Sequence, residues 1–317
     1  MENNQVIGST QFTQNSIIDI LIEKDANFRQ SVENSAIKEI TTTFNNDAQG
    51  FISYVHILKI ELQNGQIFEY ALKFPSIEYL IDKGENSQDD IQKIAQKNKI
   101  LCLIHNLECQ FYNLFSGNSC PIPIPKVFFI KPAESSFEEG LIVMKNLAKE
   151  GMVFKKYEFL DEEKIWVIIE HIARFQAFLL HNQEKIQWKG RFLECDYPNV
   201  NLRKRLEKLK TVFPGQFEKV IEGLYPVIED KKLHQYWLWE CCEDLGIPMV
   251  LCHGDLWATN IFWRKNQEGM ASNELIGFID WSLTFEDEQE KIEIQHVVKN
   301  IEEALIDAVN LLKNGYF

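Results

Sequence analysis

Three side chains able to bind a metal ion through oxygen lie close together late in the sequence. Asp255 and Asn260 stand between the apolar runs 249–252 and 261–263, and Asp280 follows a third apolar run twenty residues after Asn260. We expect a loop between two strands to present the first pair, and the returning strand of a hairpin to present Asp280. Carboxylate and amide oxygens suit Mg²⁺, which usually shares its coordination shell with water and phosphate.

The spacing of these residues is that of a phosphoryl-transfer site. In protein kinases an Asp orients the acceptor hydroxyl, an Asn five residues later binds metal, and a second Asp further on also binds metal. The alternative is that His253, Asp255 and Asn260 only cap and turn a loop, a common use of such residues. Their combination between apolar strands favours Asp255 as the catalytic residue, with Asn260 and Asp280 as metal ligands.

The residues around Asp255 also carry a family resemblance. The segment 253–255, His-Gly-Asp, together with Asn260 and the segment 279–281, Ile-Asp-Trp, resembles the aminoglycoside phosphotransferase and choline kinase superfamily. Within it, Leu256-Trp257 and the adjacent strands most resemble the choline-kinase-like (CHK) proteins of nematodes, akin to insect ecdysteroid kinases. The resemblance implies an α+β, bilobal protein-kinase-like fold, with an antiparallel sheet in the N-terminal lobe and a mainly helical C-terminal lobe. It further implies ATP with Mg²⁺ and phosphorylation of a hydroxyl on a small molecule.

A lysine and a glutamate in the N-terminal half fit the same chemistry. Lys73 lies within an apolar strand pattern, where a buried lysine costs free energy unless it is paired. Glu108 lies three residues before Phe111 and therefore shares the apolar face of a predicted helix. We expect an ion pair that places Lys73 on the nucleotide phosphates. The alternatives are that Lys73 lays its aliphatic stem along the strand with its ammonium in water, and that Glu108 is a solvated charge on the helix surface.

The resemblance implies further nucleotide contacts. Gly50 and Ser53 correspond to the turn over the phosphates, although the G-x-G-x-x-G spacing is missing. Met144 falls where the connection between the lobes should contact adenine. The family often has acidic residues at that connection, whereas this chain continues with Lys145-Asn146.

Apolar spacing predicts the elements that must position these residues. Asn64-Gly65 lies between two β-rich runs and predicts a hairpin, because Asn-Gly readily supplies positive φ. A polar stretch, 83–98, predicts a loop or the exposed start of a helix. The other predicted elements are strands at 127–130 and 141–144, and helices at 15–24, 100–115, 161–182 and much of 202–243. The change from strand to helix pattern predicts an N-terminal nucleotide-binding lobe over residues 1–147 and a catalytic lobe over residues 148–317.

Composition and charge exclude several classes of protein. The net charge of −14 argues against a nucleic-acid partner and against adhesion to an anionic membrane. No secretory signal, no apolar run of membrane-spanning length and no disulfide framework is evident, although the chain has seven cysteines. We therefore expect a cytoplasmic protein that acts on a small-molecule alcohol and does not insert into a membrane. The sequence does not indicate its oligomeric state.

Two other functions remain open at this stage. The chain after Asp280 is short for the family, in which several helices complete the acceptor pocket, so a pseudokinase that binds nucleotide or acts as a scaffold without efficient turnover is an alternative. A hydrolase using the paired carboxylates is another, although the pairing of Lys73 with Glu108 argues against it. The sequence does not distinguish choline-like amines, sterols and other alcohols as acceptors.

Overall fold

The structure is a computed structural model, and its described residues cover most of the chain. These are residues 5–44, 53–76, 88–117, 120–133, 139–155, 158–194, 202–230, 232–233, 236, 244–246 and 248–288. The chain divides into two compact units, one formed by Met1–Phe178 with Asp255–Thr284 and the other by Leu179–Gly254 with Phe285–Phe317.

Seven α-helices and eleven strands are formed by the described residues. The helices are α1 (Gln14–Lys24), α2 (Ala26–Asn34), α3 (Gln88–Phe115), α4 (Glu162–His181), α5 (Gln183–Ile186), α6 (Leu202–Val212) and α7 (Glu218–Glu229). The strands are β1 (Ile37–Phe44), β2 (Ser53–Leu62), β3 (Ile67–Pro75), β4 (Val127–Lys131), β5 (Leu141–Lys145), β6 (Gly151–Met152), β7 (Leu193–Glu194), β8 (Met249–Cys252), β9 (Ile261–Lys265), β10 (Ala271–Phe278) and β11 (Phe285–Glu288).

A five-stranded sheet organises the first unit. Its strand order is β1-β2-β3-β5-β4, and every neighbouring pair is antiparallel. The hairpin between β2 and β3 turns where the sequence predicts it, with Gly65 at φ +84°. Helices α1 and α2 pack on this sheet through side chains such as Leu21 and Phe28, which are fully buried with Leu58 and Leu72 of the strands.

Helix α3 packs against the sheet and against the turn that follows β10. It contacts β3, β4 and the turn Trp281–Leu283. Its apolar side chains Leu107 and Phe111 are buried, and the ring of Phe111 stacks on that of Trp281 with centroids 3.8 Å apart. A second, smaller sheet of order β10-β9-β6 completes the unit and leads into Asp280.

The second unit combines helices with a small sheet. It contains α5, α6, α7 and a three-stranded sheet in which β11 is antiparallel to β8 and parallel to β7. The predicted α+β fold with an antiparallel N-terminal sheet is confirmed. The lobe boundary at residue 147 stays a prediction.

None of the helices in the described ranges has the length and apolar character needed to cross a membrane.

Candidate active site

A buried lysine joins two carboxylates at the centre of the first unit. Nζ of Lys73 lies 2.6 Å from Oε2 of Glu108 and 2.6 Å from Oδ1 of Asp280. Lys73 is 7% exposed and Glu108 is 1% exposed, whereas the side chain of Asp280 keeps 23% of its surface in contact with solvent. The ion pair that the sequence predicts is therefore formed, and the metal-binding candidate Asp280 shares the same ammonium group.

Three separate elements bring these groups together. Lys73 lies near the end of β3, opposite Ile142 of β5. Glu108 lies on the buried face of α3, three residues before Phe111. Asp280 follows β10 with φ +62°, a left-handed conformation that non-glycine residues rarely adopt and that Asp tolerates better than most. Such backbone strain is found preferentially at functional sites.

Burial and shared charge shift the ionisation of this group of residues. Burial raises the pKa of Glu108 to about 7, against the opposing effect of the Lys73 ammonium. Burial by itself would lower the pKa of Lys73, but the charges of Asp280 and Glu108 outweigh it and raise the pKa above its ordinary value. Lys73 is therefore protonated at neutral pH, and its charge is matched by two acidic groups.

The loop before β9 holds Asp255 and Asn260 in a fixed arrangement. The indole Nε1 of Trp257 donates a 2.7 Å hydrogen bond to Oδ1 of Asp255. Nδ2 of Asn260 donates to the backbone carbonyl of Asp255 at 2.9 Å, and the carbonyl of Asn260 accepts from the N–H of Ile279 at 2.9 Å. The loop is thus hydrogen-bonded to the residue immediately before Asp280.

Of the three residues predicted to contact the nucleotide besides Lys73 and Glu108, only one lines a pocket with them in the described part of the chain. Ser53 begins β2 and lines a small pocket together with Lys73 and Glu108. Met144 lies in β5, is 7% exposed, and is not among the residues that line that pocket. Gly50 lies outside the described residues, so the turn over the phosphates stays a prediction.

The side chains at this site could supply only a few of the ligands of a magnesium ion. No cluster of three or more His, Cys, Asp or Glu side chains able to hold a metal ion occurs within the described ranges. Asp280 and Asn260 supply one carboxylate and one amide, which fits an ion that is normally bound by one or two carboxylates plus substrate phosphates. Oε1 of Glu108 is buried without a hydrogen-bond partner in the described part of the chain.

Three side chains beside this site were not predicted from the sequence. His105 and Ser282 line the same pocket as Lys73. His105 precedes Glu108 by three residues, the spacing at which helix side chains are neighbours, and this spacing could have identified it. The hydroxyl of Tyr112, four residues after Glu108, is also buried and has no hydrogen-bond partner in the described ranges.

The antiparallel five-stranded sheet and the buried lysine that bridges two carboxylates are features that the sequence predicts for a kinase-like protein. The chain belongs to the DUF1679 family, whose model is described as "Uncharacterized oxidoreductase dhs-27" and matches residues 26–286. It is 28% identical over 241 residues to "Uncharacterized oxidoreductase dhs-27" of Caenorhabditis elegans, a match that covers 73% of this chain and 29% of that protein. It is 25% identical over 210 residues to "Uncharacterized kinase-like protein D1044.1" of the same organism, covering 62% of this chain and 51% of that protein.

Both relatives are thus matched over about half of their length or less. Two solved structures are also similar. The GDP complex of wild-type aminoglycoside 2'-phosphotransferase-IIIa is 16% identical, with coverage of 87% of this chain and 74% of that chain and a TM-score of 0.42. A putative aminoglycoside phosphotransferase from Ralstonia eutropha is 12% identical, with coverage of 87% and 66% and a TM-score of 0.41. Both scores lie below 0.5, and the assignment of the fold rests on the elements described above.

Proposed function

We propose that the protein is an ATP- and magnesium-dependent phosphotransferase that phosphorylates a hydroxyl group of a small molecule. The observation that carries this proposal is the buried Lys73 ammonium, held 2.6 Å from both Glu108 and Asp280. Burying a lysine ammonium is unfavourable unless opposite charges compensate for its lost hydration. A buried ammonium held between two carboxylates is therefore expected mainly where its charge has a function, such as binding phosphate.

Lys73 is suited to bind the nucleotide phosphates. Glu108 fixes the ammonium from the side of α3, and Asp280 contacts it from the turn after β10. An ammonium positioned in this way stabilises phosphate charge without reorganising during the reaction, which is how most of the catalytic effect arises in phosphoryl transfer. Ser53, at the edge of the same pocket, can donate a hydrogen bond to a phosphate oxygen.

Asp280 and Asn260 would hold the magnesium ion. When bound, the ion would neutralise charge on the phosphates and orient them for transfer. Asp280 is the more exposed partner of Lys73, so its carboxylate can accept a metal ion while Glu108 continues to hold the lysine. The hydrogen bond from Ile279 to Asn260 couples the positions of the two proposed ligands.

Asp255 would act on the acceptor. Its Oδ1 accepts a hydrogen bond from the Trp257 indole, which fixes the orientation of the carboxylate. A carboxylate held in this way can orient an alcohol and accept its proton as the oxygen bonds to the γ-phosphorus and ADP leaves. Positioning and charge neutralisation supply the catalysis.

The oxidoreductase name of one relative does not provide a better account of this part of the chain. Nicotinamide-dependent oxidoreductases typically bind the dinucleotide on a parallel sheet, at a Gly-rich turn that opens a helix. Here the five-stranded sheet is antiparallel throughout, and the match covers only 29% of that relative. Cys102, Cys109 and Cys120 are free thiols, which accords with the proposed cytoplasmic location.

A transfer assay with one substitution tests the proposal. Purified protein is incubated with Mg²⁺, γ-labelled ATP and a panel of amino alcohols, sterols and other alcohols, and the labelled phosphoester is measured. We expect transfer to one class of alcohol, and its loss in Asp255→Asn with nucleotide affinity nearly unchanged, because Asp255 serves the acceptor. Nucleotide affinity that falls equally in Asp255→Asn and Asp280→Asn would contradict these roles. Binding of ATP without any phosphoester would favour the pseudokinase.

A further inference from the structure

Two adjacent side chains of α3 are bonded to the chain at the end of β4. Nδ2 of Asn106 donates to the carbonyl of Ala133 at 3.0 Å, and the N–H of Ala133 donates back to Oδ1 of Asn106 at 2.9 Å. Nε2 of His105 donates to the carbonyl of Lys131 at 3.1 Å. We call these three hydrogen bonds, made by His105 and Asn106, the α3–β4 clamp.

The surroundings of His105 leave the clamp little freedom. The residue is 4% exposed, and Sγ of Cys109 lies 3.3 Å from its Nε2. Gly140, just before β5, also lies against the ring, and a Cβ atom there would come within 2.2 Å of the same nitrogen. The absence of a side chain at Gly140 is therefore what admits the ring. His105 cannot turn without disturbing β4 or the entry to β5.

The clamp controls the rotation of α3 about its axis. His105 and Asn106 project from the helix about 100° apart, so two anchors on one strand end oppose rotation in either direction. Glu108 lies less than one turn further on. A rotation of about 25° would move a group about 5–6 Å from the helix axis by roughly 2.5 Å. That displacement is as large as the 2.6 Å separation of Glu108 Oε2 from Lys73 Nζ.

We propose that His105 and Asn106 are positioning residues, whose hydrogen bonds to β4 keep Glu108 directed at Lys73. The clamp fixes the helix, the helix places the carboxylate, and the carboxylate orients the ammonium. Only the consequence for nucleotide binding rests on the proposed function. The ion pair itself is a property of the folded chain.

Chemical labelling of Lys73 tests the clamp without any ligand. An amine-directed reagent is applied to the nucleotide-free protein, and the modification rate of Lys73 is followed by peptide mass spectrometry at a temperature where every variant is folded. Asn106→Ala and His105→Leu should raise the rate by about 5- to 30-fold, the effect of losing one or two net hydrogen bonds. His105→Gln keeps an N–H donor on a flexible side chain and should lie closer to the wild type.

Tyr70→Phe is the matched control. It removes a buried hydrogen bond from the Tyr70 hydroxyl to Asp25 within the same unit, but keeps the ring that packs on Phe128 of β4 and leaves the three hydrogen bonds of the α3–β4 clamp in place. Its labelling rate should equal that of the wild type. A labelling rate in Asn106→Ala no greater than in Tyr70→Phe would overturn the proposal.

Nucleotide affinity provides the second readout. Asn106→Ala should weaken binding of an ATP analogue while Tyr70→Phe leaves it unchanged. If the wild type binds no nucleotide, the proposed function fails, whereas the labelling rate of Lys73 still decides whether the clamp positions Glu108. The two proposals can therefore fail separately.

Discussion

The buried His105 should make the folded protein sensitive to acid in a way that one substitution removes. The pKa of His105 is lowered to about 4, chiefly by burial and to a smaller extent by the positive charge of Lys73, while the hydrogen bond to the Lys131 carbonyl acts in the opposite direction. Glu108 and Cys109 are the other titratable neighbours on the same helix. His105 is therefore neutral in the folded protein across the physiological range.

The sign and size of the effect follow from the two states. An unfolded histidine titrates near 6.5, so below that pH the unfolded chain binds a proton that the folded chain does not. The stability that depends on neutral His105 is complete above pH 6.5 and is lost as the pH falls towards 4. This group alone should lower the free energy of unfolding by about 2 kcal/mol between pH 8 and pH 5.

Urea unfolding of the wild type and His105→Gln at pH 8, 7, 6 and 5 measures this loss. Glutamine does not titrate, and the other acid-sensitive groups cancel in the difference between the two proteins. The stability advantage of the wild type over His105→Gln should shrink by about 2 kcal/mol from pH 8 to pH 5. A difference that stays constant over this range would refute the assignment of a buried, neutral His105.

Two further substitutions test the charges and hydrogen bonds of the first unit. Lys73→Met should destabilise the protein by about 3–5 kcal/mol at pH 8, because the buried Glu108 carboxyl loses the ammonium that lowers its pKa and must stay ionised without a partner or take up a proton. The double variant Lys73→Met/Glu108→Gln should regain part of that loss in denaturant unfolding, and no recovery would contradict the ion pair. Tyr70→Phe should cost about 1–3 kcal/mol in the same measurement, since it leaves the 5%-exposed Asp25 short of a donor, and a neutral effect would contradict the buried hydrogen bond.

Local patterns predicted much of the fold. The Asn64-Gly65 turn fixed the hairpin between β2 and β3, because the positive φ it supplies is a local property. The apolar face of α3 predicted that Glu108 points inward. The helix also extends back to Gln88 through a polar stretch without apolar spacing, which was predicted as a loop or helix start. A helix once formed lengthens at little cost, so its beginning leaves a weak signal.

Contacts between distant parts of the chain could not be predicted. The bonds from His105 and Asn106 to β4 join residues 26 and 27 positions apart and depend on how the helix packs on the sheet. The left-handed backbone at Asp280 is set by the turn after β10 rather than by residue type. Ser282 likewise reaches the pocket through that turn.

The central claim is that Lys73, Asn260 and Asp280 form a metal-dependent nucleotide site. Calorimetric titration of a non-hydrolysable ATP analogue, with and without Mg²⁺, into the wild type and Asp280→Asn tests it most directly. We predict that Mg²⁺ strengthens binding to the wild type and that Asp280→Asn weakens the magnesium-dependent affinity by at least about tenfold, or about 1.4 kcal/mol. Absence of nucleotide binding by the wild type, or equal affinity with and without Mg²⁺, would contradict the account.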